Sequence, residues 1–198
     1  GWVSLAEFFS FRHTQGFIHT MNNLNNYKAF SLGYVEEVLN GEKHLPSGVC
    51  PHQCWSETMV LMPIIEGIIG YGIESKYDYF SFYPSFPFAW DSVEVRSIPN
   101  GNHLYNFRMI REPEKTSYYF ESDSLFDPIH FWPMLLPGSS IRHVKVNGKK
   151  VFNRPASISL SQGEFLPNEI VINGETEIEI IHSGGISLIP ATTKPAQN

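Results

Sequence analysis

The chain has 198 residues, 42% of them hydrophobic, so it can bury a core and does not have the composition of a disordered protein. Its formal net charge is −6, and Lys and Arg form no cluster, which argues against nucleic acid and anionic membrane as partners. The longest apolar run, MVLMPIIEGIIGYGI, is interrupted by Pro63 and Glu66, so no membrane-spanning segment is predicted.

Two helices are predicted near the start of the chain from apolar residues that recur every three or four positions. The face of the first helix comprises Trp2, Leu5, Ala6 and Phe9, and Trp2 is expected in the core. The face of the second comprises Phe17, Met21 and Leu24, with Thr14 expected as its N-cap. Because the chain opens on GWVSLAEFF, inside a helical pattern, we expect it to be a processed or excised piece of a longer protein.

A third helix is predicted in CWSETMVLMPIIEGIIGYGI. Its apolar face comprises Trp55, Met59, Met62, Ile65 and Ile69. Pro63 removes a backbone donor and should kink this helix, and Gly70 and Gly72 are expected to end it. Residues 28–51 are too long for a simple bundle loop, so we expect the three helices to complete a larger helical domain or to lie across the rest of the chain.

From about residue 76 the periodicity changes to the alternation of β-strands. Runs such as SVEVRSI, LYNFRMI and TEIEIIH are separated by turn signals such as PNG, SQG and SGG. About eight such strands predict an antiparallel β-sandwich over residues 76–190. VNGKKV predicts a tight hairpin at Asn147–Gly148, and residues 191–198 are expected to be disordered. The aromatic run YDYFSFYPSFPFAW is expected to pack between the sandwich and the helices, with a sugar-binding platform as the alternative.

The segment SGVCPHQCWSETM contains both cysteines of the chain. Cys50, His52 and Cys54 offer three soft ligands, but a structural zinc site needs four, so no metal is predicted. A disulfide between Cys50 and Cys54 would close a very small loop and would fit an exported protein, whereas two free, buried thiols are the favoured alternative. We therefore interpret the segment as the wall of a cleft.

Four segments carry a family resemblance through their order along the chain: GWVSLAEFF, QGFIHTMNN, GYVEEVLNGE and PHQCWSETMVLMPIIEGIIGYG. In this order they resemble the end of the (α/α)6 barrel of bacterial glycoside hydrolases of the glycogen-debranching-like or amylo-α-1,6-glucosidase-like groups. FSFYPSFPFAWDSVEVRSI and LPGSSIRHVKVNGKKV resemble the β-sandwich that follows such barrels. The resemblance implies an α+β multidomain fold, with the last helices of an incomplete six-hairpin barrel over residues 1–75 and an antiparallel β-sandwich over 76–190.

The resemblance also implies a reaction, the inverting hydrolysis of an α-linked glycan, which needs a carboxylic acid and a water-activating carboxylate. On the pattern of related barrels the base falls on Glu37, with the adjacent Glu36 as the alternative, and the acid lies upstream of this chain. Both glutamates could equally be exposed carboxylates on a short helix. His52, Gln53 and Trp55 would line the cleft and contact sugar, although Trp55 fits the core of its helix equally well.

The implied partners are a carbohydrate substrate and the rest of the catalytic barrel, and no cofactor is implied. The isolated chain is expected to be inactive and to associate, because an incomplete barrel cannot hold two carboxyl groups across a substrate. The resemblance favours a periplasmic or secreted location. The alternative is a non-catalytic module that binds carbohydrate or braces a larger chain.

Overall fold

The computed structural model describes residues 1–27, 36–43, 45–50, 53–74, 79–122, 128–153, 158–160 and 162–186. Within these ranges the fold is α+β, with three α-helices and mostly antiparallel sheets. The helices are α1 (Trp2–Phe9), α2 (His13–Asn26) and α3 (Cys54–Met62), and α3 continues into a π-helical turn over Pro63–Ile68. In the described part of the chain no helix is long and apolar enough to cross a membrane.

The strands follow the helices, except for a short hairpin that precedes α3. This hairpin consists of β1 (Val38–Leu39) and β2 (Pro46–Val49). The remaining strands are β3 (Tyr71–Glu74), β4 (Tyr79–Phe82), β5 (Ser92–Asn100), β6 (His103–Glu112), β7 (Lys115–Glu121), β8 (Ile129–Phe131), β9 (Met134–Leu135), β10 (Ser139–Val146), β11 (Lys149–Asn153), β12 (Ile158–Leu160), β13 (Gly163–Phe165), β14 (Ile170–Ile172) and β15 (Thr176–Gly184).

Two sheets face each other across an aromatic core. One has the order β11-β10-β15-β7-β6-β5 and the other β14-β8-β4-β3, while β12-β13-β9 form a smaller third sheet. The ring of Phe82 on β4 lies 4.8 Å from that of Phe107 on β6, and Phe131 on β8 lies 5.0 Å from Phe120 on β7. This arrangement agrees with the predicted sandwich, except that β4 and β8 pair in parallel.

The hairpin predicted at Asn147–Gly148 is confirmed. It joins β10 to β11, with Val146 opposite Lys149, and both turn residues have positive φ, 49° for Asn147 and 75° for Gly148. Asn and Gly tolerate this left-handed conformation better than other residues, which is why the dipeptide predicts a two-residue hairpin so well.

Helix α1 buries a different face from the one predicted. Ser4, Leu5 and Phe8 are buried, whereas Trp2 and Phe9 are 74% and 63% exposed, so the expectation that Trp2 lies in the core is wrong. The Ser4 hydroxyl donates to the carbonyl of Gly16 at 2.7 Å and shares a hydrogen bond with the Thr20 hydroxyl. Hydrogen bonds between α1 and α2 therefore turn a partly polar face inward and leave Trp2 and Phe9 outside.

Helix α2 begins one residue before the predicted cap. His13 is its first residue, and the N-cap position is Arg12, which makes no side-chain capping bond. Thr14 is not the cap; its backbone N–H donates to the side-chain oxygen of Gln162 at 2.9 Å. A side chain from the sandwich thus satisfies one of the free donors in the first turn, an arrangement that the local sequence does not encode.

At Pro63, where the sequence predicts a kink, the α-helix gives way to a π-helical turn. The α-helix ends at Met62, and the following turn is π-helical, with the N–H of Ile69 donating to the carbonyl of Ile64 at 2.8 Å. Gly70 then ends the segment with a φ of 70°, and a Cβ there would collide with the carbonyl of Tyr83. The second predicted stop, Gly72, lies instead in strand β3.

The helices and the sandwich share one core. Phe8 of α1 and Ile68 of the π-helical turn belong to the same buried cluster as the aromatic side chains between the sheets. On the neighbouring surface the ring of Phe17 packs edge-on against Trp90 at 5.9 Å. The part of the aromatic run that contains Phe86 and Trp90 therefore lies between helices and sandwich, as expected, whereas Phe82 lies on β4 in the sandwich core.

Candidate functional site

Glu36 anchors the β1–β2 hairpin. Its carboxylate is 5% exposed and accepts hydrogen bonds from the N–H of Ser47 at 2.7 Å, the N–H of Gly48 at 2.9 Å and the Ser47 hydroxyl at 3.3 Å. The expectation of an exposed carboxylate on a short helix is therefore wrong for Glu36. A buried carboxylate is stable only with such partners, and here they come from the opposite strand of the hairpin.

Glu37 lies next to this anchor and is exposed. It also lies outside any helix, directly before strand β1, where Val38 pairs with Val49. The two candidate carboxylates therefore lie in different surroundings: the Glu36 side chain accepts hydrogen bonds from Ser47 and Gly48, and the Glu37 side chain is exposed to solvent.

Two of the remaining predicted site residues, Gln53 and Trp55, lie at the start of α3. His52 is outside the described residues, and Gln53 is half-buried at the N-cap position, where its side chain makes no capping bond. Trp55 is 65% exposed, so its interpretation as helix core is wrong. Cys50 and Cys54 are free and exposed, which excludes both the disulfide and the buried thiols in this structure.

The described residues contain no group of three or more His, Cys, Asp or Glu side chains placed to hold a metal ion.

The helices present an outward surface of large apolar side chains, which we call the helical apolar face. It comprises Trp2, Val3, Phe9, Trp55, Leu61 and Ile65. These residues come from α1, α3 and the π-helical turn, and Gly1 lies directly against Met59 of α3, so the contributing helices are neighbours. Such a concentration of exposed apolar side chains is typical of a surface that another element covers.

A cleft of about 590 Å³, the junction cleft, opens between the helices and the sandwich. Its apolar walls comprise, from the helical side, Phe8, Phe9, Phe11 and Ile65 and, from the sandwich, Tyr83, Trp132 and Phe165. Phe9 and Ile65 therefore belong both to this cleft and to the helical apolar face. The polar residues in its lining include His13, Glu66, Tyr71, Ser81 and Ser85. None of the residues proposed for catalysis from the sequence lines it.

His13 is the most unusual group of the junction cleft. It is 6% exposed, and neither ring nitrogen has a hydrogen-bond partner among the described residues. The rings of Phe8, Phe11 and Phe165 surround it at 6.3, 6.1 and 6.0 Å. Burial lowers the pKa of His13 from 6.5 to about 4, so the imidazole is neutral near pH 7.

Hydrogen bonds fix the sandwich wall of this cleft. The Tyr83 hydroxyl donates to one carboxylate oxygen of Glu169 at 2.6 Å, and Nδ1 of His130 lies 2.8 Å from the other oxygen. The indole N–H of Trp132 donates to the carbonyl of Leu166 at 2.7 Å. Both aromatic rings are therefore held in place by hydrogen bonds to their polar atoms.

Sequence reasoning missed the junction cleft because its walls come from residues scattered between positions 8 and 165. The only local signal is His13 itself, a histidine placed between Phe11 and Phe17 at the start of a helix. Neither its burial nor its lack of partners can be inferred from that spacing.

No protein-family model matches the chain, and no curated protein matches it either.

Proposed function

We propose that the chain is the C-terminal part of a glycoside hydrolase that cleaves an α-linked glycan with inversion of configuration. The observation that carries this proposal is the pair of carboxylates in the β1–β2 hairpin, with Glu36 anchored and Glu37 exposed. The order of segments that resembles the end of an (α/α)6 barrel supports the same assignment.

In this proposal Glu37 is the general base. Its carboxylate accepts a proton from a water molecule as that water attacks the anomeric carbon, while an acid elsewhere in the protein protonates the leaving oxygen. Glu36 is a positioning residue, because its hydrogen bonds to Ser47 and Gly48 fix the backbone one residue away from the base. Gln53 and the exposed ring of Trp55 would bind the sugar, as would His52.

The helical apolar face supports a larger helical assembly. Its tryptophan, phenylalanine, leucine and isoleucine side chains are the kind that helix–helix contacts bury, and burying each one fully contributes about 1.5–3 kcal/mol. We propose that the remaining helices of the barrel cover it. The proposed acid belongs to that part of the protein.

The test uses the full natural protein and a panel of α-linked gluco-oligosaccharides. Glu37→Gln removes the base and keeps the side-chain volume, so kcat should fall by about 100-fold or more. The control is Glu42→Gln, an exposed glutamate of the same hairpin whose turnover should match that of the unmodified protein. Unchanged turnover in Glu37→Gln would remove Glu37 from the mechanism.

The stereochemistry is tested separately by following the anomeric protons of the first product with NMR. An α-linked substrate should release the β-anomer first. Release of the α-anomer would contradict the inverting mechanism even if Glu37 proved essential, because a retaining enzyme uses the second carboxylate as a nucleophile.

A non-catalytic carbohydrate-binding module is the second candidate. The exposure of Trp55 favours it, since the indole offers a flat apolar surface on which a sugar ring can stack. A full natural protein that binds oligosaccharide without cleaving it, and loses binding in Trp55→Ala, would support this candidate over the first.

A further inference from the structure

We propose that Asn40–Gly41, in the loop between β1 and β2, is a self-modification site at which the asparagine side chain loses ammonia and becomes an acid. The chain contains four Asn–Gly pairs, at residues 40–41, 100–101, 147–148 and 173–174. Such pairs are prone to deamidation because glycine has no Cβ to hinder attack by its own backbone nitrogen. The surroundings of the four pairs select the first one, and the proposal does not depend on the glycosidase assignment.

The reaction needs only water and hydroxide. Hydroxide removes the N–H proton of Gly41, and the nitrogen attacks Cγ of Asn40, so that a new N–Cγ bond forms and negative charge develops on Oδ1. The bond from Cγ to Nδ2 then breaks, and the departing amine takes a proton from water, which releases ammonia and regenerates hydroxide. Water hydrolyses the resulting succinimide at either carbonyl, leaving aspartate or isoaspartate at position 40 without any transfer of electrons.

Two backbone N–H groups point at the atom on which this charge develops. Oδ1 of Asn40 accepts hydrogen bonds from the N–H of Glu42 at 2.9 Å and from the N–H of Lys43 at 3.0 Å. Paired backbone donors of this kind form the oxyanion holes of acyl-transfer enzymes, where they stabilise the tetrahedral intermediate. The N–H of Asn40 also donates to the carbonyl of Leu45 at 3.0 Å, which closes the loop that carries both donors. The folded loop therefore lowers the barrier for this one amide.

The nucleophile and the leaving group are both accessible. Asn40 and Gly41 are exposed, so hydroxide reaches the glycine N–H and water reaches the departing amine. No described atom lies within 4 Å of the position that a Cβ of Gly41 would take. The glycine therefore has room to turn its nitrogen towards Cγ.

The other three Asn–Gly pairs each lack one of these conditions. Asn100 is 5% exposed and lies within β5. Asn147 is fixed in the tight turn between β10 and β11, where its N–H and its Oδ1 are both bonded to the backbone of Glu177 at 2.8 Å. Gly174 is buried, so hydroxide has less access to its N–H than to that of the exposed Gly41.

The product changes the charge of the hairpin. A carboxylate at position 40 joins those of Glu37 and Glu42, both of which are exposed on the same short segment. The hairpin that carries the candidate base therefore becomes more negative as the protein ages.

The experiment follows all four pairs by peptide mapping with mass spectrometry, after incubation of the full natural protein at about pH 8. The peptide that contains Asn40 should be converted at least about 10-fold faster in the folded protein than in the protein unfolded by guanidinium chloride, because only the folded loop supplies the two donors. The peptide that contains Asn147 is the internal control and should be converted more slowly in the folded protein than in the unfolded one.

A pair of variants tests the donors directly. Glu42→Pro removes one N–H from Oδ1 and keeps the Asn–Gly pair, so conversion of Asn40 in the folded protein should slow by about 10-fold or more. Glu42→Gln keeps the N–H and should be converted at the rate of the unmodified protein. Equal rates in the two variants would overturn the proposal, as would conversion of Asn40 that is no faster in the folded protein than in the unfolded one. The second comparison does not depend on the folding of a variant.

Discussion

His13 places an ionisable group in a setting that favours only its neutral form. Its ring is enclosed by phenylalanines, and the described residues offer no carboxylate or carbonyl within hydrogen-bonding distance of either nitrogen. Burial therefore lowers the pKa of His13 from 6.5 to about 4. Between these two values the unfolded chain binds a proton that the folded chain does not, so protonation favours unfolding as the pH falls.

This linkage predicts how stability depends on pH. On lowering the pH from 7.5 to 4.5, the free energy of unfolding should fall by about 2 kcal/mol more in the unmodified protein than in His13→Phe. Urea unfolding of both proteins at the two pH values measures the loss of stability in each. Both proteins contain the same carboxylates, so the contribution of carboxylate titration cancels when the two losses are subtracted. Parallel losses in the two proteins would show that His13 ionises equally easily in the folded and unfolded states.

At the scale of elements, one side chain holds the segment that joins β4 to β5. The guanidinium of Arg111, on β6, donates to the carbonyls of Pro87 at 2.7 Å, Trp90 at 3.0 Å and Phe86 at 3.3 Å. The same segment carries the ring of Trp90 against Phe17 of α2. Burial lowers the pKa of Arg111, but an arginine guanidinium stays protonated in proteins. Its N–H groups therefore supply hydrogen bonds to carbonyls of a segment that has no regular secondary structure.

Arg111→Met should lower the free energy of unfolding by about 2–4 kcal/mol, because three carbonyls lose a charged donor. The matched control is Arg108→Met on the same strand, where the guanidinium lies over the ring of Tyr119 at 4.4 Å and is exposed. Arg108→Met should lower the free energy of unfolding by less than about 1 kcal/mol. Urea titration followed by tryptophan fluorescence distinguishes the two, and equal losses would show that Arg111 does not hold the segment.

Elements defined by local chemistry are those that the sequence predicted well. The Asn147–Gly148 hairpin and the helix stop at Gly70 follow from backbone preferences of the residues themselves. The buried face of α1 was predicted wrongly because periodicity identifies an apolar stripe without showing whether anything covers it. The cap of α2 was also wrong, because its donor bonds to Gln162, 148 residues away.

For the whole molecule, the helical apolar face should govern behaviour in solution. The isolated chain of 198 residues should associate, because apolar side chains such as Phe9 and Leu61 gain free energy when removed from water. Light scattering coupled to size-exclusion chromatography should show association that the double variant Phe9→Lys, Leu61→Lys reduces.

The control is Leu104→Lys, an equally exposed leucine on β6 of the sandwich, which should leave the association unchanged. A chain that stays monomeric at every concentration would contradict the role given to this face. It would also weaken the proposal that barrel helices cover it.

The candidate sites differ in how far the sequence could reveal them. The choice of Glu37 as the proposed base comes from the family resemblance of a short segment, whereas the anchoring of Glu36 depends on Ser47 and Gly48 across the hairpin. The junction cleft is a product of the tertiary structure, since α1, α2, the π-helical turn and strands β3, β4 and β13 all contribute to its walls. No short stretch of the sequence contains residues from all of these elements.

The position of β15 bears on how the protein is synthesised. This strand pairs with β10 on one side and β7 on the other, in the interior of the six-stranded sheet, although it is the last described strand in sequence. While a ribosome is still making residues 176–184, the edges of β7 and β10 remain open, and the core positions of Ile178 and Ile180 are empty. The nascent chain thus carries two incomplete sheets, β11-β10 and β7-β6-β5, with unpaired edges until almost all of the described fold has been translated. A chaperone that prevents aggregation would have most effect during this period.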